Sequence, residues 1–162
     1  FIIPTSNPLT LPCQHFSYTI HNMTQLTNPD GKIFLAISSH MDTFAECPVH
    51  YNPDVPEQPL SNAPYVIVTD TRLDADTRYV GGNDPDEYRG TLSLSVMCPM
   101  GYTAAQAIGV AGRIADHWQK GAWYPYGDMM VQVLARPRVI GAGYQDAGMM
   151  RYPVTVKWRA VG

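Results

Sequence analysis

Arg89 to Pro99, RGTLSLSVMCP, carries the clearest structural signal in the chain. Apolar and polar residues alternate along it. Leu92, Leu94, Val96 and Cys98 therefore share one face of a strand, and Thr91, Ser93, Ser95 and Met97 share the other. A strand with one greasy and one hydroxyl-bearing face belongs to a sheet covered on one side only. The alanine-rich segment that follows Pro99 is the expected cover.

Upstream, YVIVTDTRLDADTRYV begins at Tyr65 and is long enough for a bent or two-part strand. It leads into the glycine- and acid-rich GGNDPDEYRG and so forms a long hairpin with the first stretch, its loop too large for a tight primed turn. Downstream, Thr103 and Gln106 have capping-box spacing, and Gly121 is a C-terminal stop. Ala104, Ala107, Ile108, Ala111, Ile114, Ala115 and Trp118 form the apolar stripe of this helix, and Gly109 and Gly112 leave room for close backbone approach. An aromatic loop at Trp123–Gly127 precedes a three-strand meander. Its last strand sets Tyr152, Val154, Val156 and Trp158 against Arg151, Thr155, Lys157 and Arg159, with Pro153 implying an edge position or a bulge.

Nearer the start, Asn28-Pro29-Asp30-Gly31 opens a helix with Asp30 as the expected N-cap and Ile33, Phe34, Ile37, Met41 and Phe44 at helical spacing. A short strand at Val49–Asn52 and a proline-rich link from Pro53 to Pro64 follow. Residues 1–29 carry no charge until Asp30, yet hold Phe1, Ile2, Ile3, Phe16, Tyr18 and Ile20. Disorder usually comes with charge and low hydrophobicity, so an extended N-terminal arm laid on the body or on a neighbouring subunit is favoured over a disordered tail. The expected organisation is an arm, 1–29, and one α+β domain, 30–162, with a mostly antiparallel sheet flanked by two helices.

Charge is sparse and uneven. Charged residues make up 15% of 162 and the net is -3. Residues 1–90 hold 4 Lys/Arg against 11 Asp/Glu, a net of -7, and residues 91–162 hold 7 against 3, a net of +4. Such a split suits self-assembly in which unlike surfaces meet. The 3 cysteines form no disulfide framework. No apolar run approaches a membrane span, and the opening FIIPTSNPLTLPC lacks the basic start and long apolar core of a signal peptide, so reducing cytoplasm is the expected origin.

Reactive residues find little company. Cys13-x-His15 and Cys47-x-x-His50 are the best metal candidates, but structural zinc wants tighter, repeated pairs. His117 is expected to face solvent beside Asp116 and Lys120, and His21 to be a surface residue. The acids Asp70, Asp74, Asp76, Asp84, Asp86 and Glu87 are interleaved with Arg72 and Arg78, which fits a solvated hairpin or an interface better than a paired-acid site. No phosphate loop, G-x-S-x-G or H-E-x-x-H motif occurs.

With these residues in hand the chain resembles the tail terminator-like proteins of long-tailed bacteriophages and related gene-transfer particles. The resemblance rests on the acidic loop Asp84–Gly90 ending in Tyr-Arg-Gly, the strand Leu92–Val96, the small-residue helix Ala104–Gly121 and the PVTV strand Pro153–Val156. It spans about residues 31–161 and leaves the arm outside. It implies a structural virion protein with no enzymatic activity and no cofactor. Such a protein forms a homohexameric ring at the head-proximal end of the tail. The ring stops tube polymerisation, meets the tail tube protein and a head-completion or neck protein, and lets DNA pass without specific binding. No membrane is involved, and assembly takes place in the host cytoplasm. Asp70, Arg72, Asp74, Asp76, Arg78, Asp84, Asp86, Glu87, Arg151, Lys157 and Arg159 are the candidates for subunit contacts or the ring lumen. Competing readings are another tube or neck subunit, a small metal-dependent enzyme using the Cys/His or Asp cluster, and a monomeric adaptor that binds a peptide along an edge strand.

Overall fold

The structure is a computed structural model that describes residues 28–52, 62–72, 86–146 and 148–162. Two helices, α1 (Pro29–Met41) and α2 (Ala104–His117), lie with eight strands: β1 (Val49–Tyr51), β2 (Tyr65–Arg72), β3 (Glu87–Pro99), β4 (Trp123–Tyr126), β5 (Met129–Val133), β6 (Arg138–Val139), β7 (Tyr144–Asp146) and β8 (Met149–Val161). The arm residues Phe1, Ile2, Ile3, Phe16, Tyr18 and Ile20, the pair Cys13 and His15, His21, and the hairpin-tip residues Asp74, Asp76, Arg78 and Asp84 lie outside the described residues.

The sheet runs β1-β2-β3-β8-β5-β4, with β6 and β7 also paired to β8. The long hairpin is present: Tyr65 pairs with Met97 and Arg72 with Gly90, antiparallel throughout. β3 and β8 pair over thirteen residues, from Glu87 opposite Val161 to Pro99 opposite Met149. Only β1 runs parallel, against β2. The fold is thus α+β with a mostly antiparallel sheet.

Alternation assigns the faces. Leu92, Leu94, Val96 and Cys98 of β3 and Tyr152, Val154, Val156 and Trp158 of β8 are all buried beneath the helices, none above 3% exposed. Burial of this continuous apolar face at about 25 cal/mol per Å² is the main force holding sheet and helices together. The opposite face is not bare along its whole length. Tyr65, Met97 and Met149 form a second, small apolar cluster there, and Arg151 covers Ser95 with two guanidinium hydrogen bonds of 2.9 and 2.7 Å.

Several local expectations are corrected. Asn28, not Asp30, caps α1: its Oδ1 accepts from Gly31 N–H at 2.9 Å, and Pro29 fills the first helical position, where an N–H is not needed. The Thr103–Gln106 capping box is formed, but α2 ends at His117, and Gly121, at φ +81°, belongs to the turn beyond it. Ile108 is 47% exposed while Val110 is buried, so the stripe of α2 is rotated from the one expected. Among the described residues a Cβ on Gly112 would touch nothing and one on Gly109 only the Arg113 side chain at 3.6 Å, so neither glycine serves close packing there.

The aromatic segment Trp123–Tyr126 is not a loop but edge strand β4, paired to β5 through the turn Gly127-Asp128 with Gly127 at φ +62°. The Ala122 carbonyl accepts from Val133 N–H, so the backbones of Trp123 and Pro125 turn outward. Pro125 brings no N–H, which blunts this edge against further strand pairing. Pro153 is on the most central strand, not at an edge. Its carbonyl accepts from Ile140 N–H, so the side on which it lacks an N–H faces the segment just past β6, where the β6 ladder ends.

Candidate functional site

The register places a defined set of side chains on the open face of the sheet. β3 contributes Glu87, Arg89, Thr91 and Ser93, and β8 contributes Arg151, Thr155, Lys157 and Arg159. β2 adds Thr69 and Thr71, β6 adds Arg138 and β7 adds Asp146. Among the described residues of this face, five cations (Arg89, Arg138, Arg151, Lys157, Arg159) thus stand against two carboxylates (Glu87, Asp146), a net of +3. The helix layer, residues 28–46 and 104–117, has Asp30, Asp42, Glu46 and Asp116 against Lys32 and Arg113, a net of -2. Among the described residues the open face is thus net basic and the helix layer net acidic.

Some of the charges are taken up inside the chain. Glu87 is buried, accepting from Arg89 Nε at 3.0 Å, with Arg159 at 3.8 Å. Arg151 pairs with Asp146 at 3.1 Å. Asp70 lies on the covered face, one carboxylate oxygen accepting from Trp158 Nε1 at 3.2 Å and the other from Arg72 Nε at 2.9 Å. Arg72 also reaches Asp30, fixing the start of α1 to β2. Lys157 and Arg138 are exposed and have no ion-pair partner among the described residues. They are the open charges of the face. Asp86 stands beside Tyr88, its carboxylate 3.4 Å from the phenol.

A second constellation was not foreseen. His117 does not face solvent: its ring stacks on that of His40 at 4.2 Å, and His40 stacks in turn on Tyr124 at 3.9 Å. The two histidines bond reciprocally, each Nε2 lying 3.1 Å from the other residue's carbonyl oxygen. Carbonyls only accept, so each ring carries its proton on Nε2. Two histidines 77 residues apart give no sequence signal of such a pair. Its role is to tie the C-terminal ends of α1 and α2 together.

Burial, together with the nearby His117 charge, lowers the His40 pKa from 6.5 to about 4, against the opposing pull of its hydrogen bond to the His117 carbonyl. Between those values the unfolded chain binds a proton that the folded chain refuses. Stability is therefore full above pH 6.5 and falls as pH drops toward 4. The ring is only partly buried, so the expected loss is about 1–2 kcal/mol. Urea denaturation at pH 7.5 and 5.0 measures it: His40→Phe, which keeps the stacking, should show a flatter dependence than the parent. Equal slopes would place the acid sensitivity elsewhere.

The candidate pair Cys47 and His50 gains no third metal-ligating side chain among the described residues. Burial pushes the Cys47 thiol up to about 11, and His50 sits edge-on to Tyr65 at 5.6 Å. Among the described residues no three His, Cys, Asp or Glu side chains are placed to share a metal ion. No helix there is long and apolar enough to cross a membrane.

The described body is thus an α+β fold with a basic, hydroxyl-bearing open face and an acidic helix layer. The chain belongs to the phage tail terminator protein family, whose profile matches residues 32–158. It is thus a structural component of a phage tail, a virion protein that acts with other tail proteins. Among solved structures, one similar chain superimposes with a TM-score of 0.66 at 17% identity, covering 81% of this chain and 94% of that one, a likeness of fold. No curated protein matches the chain.

Proposed function

We propose that this protein forms the homohexameric ring that caps the tail tube at its head-proximal end, stops tube polymerisation and offers the joining surface to a head-completion or neck protein. The observation that carries this reading is the separation of charge between the layers, +3 on the open sheet face and -2 on the helices. A closed ring needs a heterologous contact, in which one surface meets a different one, and opposite charge on two surfaces favours that arrangement over a two-fold dimer. Lys157 and Arg159, with the hairpin residues Asp74, Asp76, Arg78, Asp84 and Asp86, are proposed to lie at subunit contacts or toward the lumen. Acidic residues in the lumen would keep DNA moving, since carboxylates repel phosphates.

Native mass spectrometry and electron microscopy of the purified protein, alone and with tail tubes, test the reading. Rings that seat on tube ends support it. A monomer that leaves tube growth unaffected sinks it. Lys157→Glu reverses an unpaired charge without touching the core and should shift the ring toward monomer about tenfold at low salt, with little effect on melting temperature. If ring formation is unchanged by the reversal and insensitive to salt, electrostatic matching is not what closes the ring.

A further inference from the structure

The unused feature with the clearest geometry is an apolar patch at the β4 end of the open face. Trp123 is 42% exposed and Met130 37%, and Val161 lies directly opposite Met130 in the ladder. Asp128, in the β4–β5 turn, borders the same shallow groove. Lys32 of α1 holds that carboxylate by both oxygens, at 2.6 and 2.9 Å. Lys32 N–H in turn bonds the Asn28 carbonyl, one helical turn away. The chain therefore enters the described body within one turn of the border of the patch.

We propose that Phe16, Tyr18 and Ile20 of the same chain cover the Trp123–Met130–Val161 patch. Residues 21–27 link Ile20 to Asn28, and seven residues span up to about 25 Å, enough to pass round the end of the sheet. The whole segment before Asp30 is uncharged, so it brings no ionised side chain of its own onto the patch. A tether this short holds the segment near the patch at an effective concentration on the order of millimolar, which a neighbouring copy cannot match in free solution. The contact is through side chains, because Pro125 leaves the edge of β4 poor in donors. Phe1, Ile2 and Ile3 lie thirteen or more residues farther out, about 45 Å of chain, and remain free to reach a neighbouring subunit or the next ring. The inference rests on the fold and the sequence and stands apart from the ring reading.

Cross-linking the full chain tests it. In a Cys13→Ser background, Met130→Cys is combined in turn with Phe16→Cys, Tyr18→Cys and Ile20→Cys, and each protein is oxidised mildly at low concentration. Cys98 is buried and the Cys47 thiol is held up to about 11, so neither competes well for exchange at neutral pH. At least one pair should form a bridge within the chain in more than half of the molecules. Bridges only between chains, or no bridge in any pair, would overturn the proposal. As a second measurement, removing residues 1–27 should at least double iodide quenching of tryptophan emission. Trp118 and Trp158 are each 1% exposed, so Trp123 carries that change. Unchanged quenching in a truncated protein that melts as the parent does also overturns it.

Discussion

Gly90→Ala should cost about 3 kcal/mol of stability or more. Gly90 lies opposite Trp158 where β3 crosses β8, and an added Cβ would sit 2.2 Å from the indole Cζ2, 2.6 Å from Cε2 and 2.9 Å from the Thr71 carbonyl oxygen. Two of those atoms belong to a rigid ring that is 1% exposed, and the third is backbone of the neighbouring strand. None can yield without disturbing a ladder, which puts the cost at or above the usual 1–3 kcal/mol of overpacking. Urea unfolding monitored by circular dichroism measures the loss. A second variant, Gly90→Ala with Trp158→Leu, should recover part of it by removing the ring that clashes. If Gly90→Ala alone stays within about 0.5 kcal/mol of the parent, the close approach of Trp158 to Gly90 is wrong.

Asp70→Ala should cost about 2–3 kcal/mol. The substitution removes two acceptors at once: the Trp158 indole N–H would be left buried without a partner, and Arg72 would lose its 2.9 Å bond while keeping only exposed Asp30. Asp70→Asn keeps an oxygen for the indole and should cost clearly less. Comparable losses for the two variants would show that the charge toward Arg72, and not the bond to Trp158, gives Asp70 its role. Either result bears on the assembly surface. Asp70 and Glu87 were candidates for contacts between subunits, and the structure shows both engaged inside the chain.

The long strands were legible because period-two alternation survives wherever one face is buried: Leu92 to Cys98 and Tyr152 to Trp158 announced both their state and their covered side. The capping box at Thr103 was equally local, one side chain answering one backbone N–H three residues on. Resemblance to tail terminators was carried by the order of these same segments. Signals that depend on a partner distant in sequence were misread. Trp123–Tyr126 looks like a loop until β5 pairs with it, and Pro153 looks like an edge marker until the end of the β6 ladder accommodates it. Ile108 reads as core because it is apolar, whereas the packing of α2 on β8, β6 and β3 selects Val110.

The same division holds for the surface. The alternating faces and the capped helix were legible because each is fixed by residues within a few positions of one another, and the uneven charge of the two halves because it is a plain count along the chain. Only the tertiary structure decided that β8 is the centre of the sheet, that His40 and His117 stack, and that Lys157 and Arg138 are left open while Asp70 and Glu87 are not. These outcomes depend on which strands become neighbours. That choice is made by burying the largest apolar area at once, a property of the whole chain that no local pattern records.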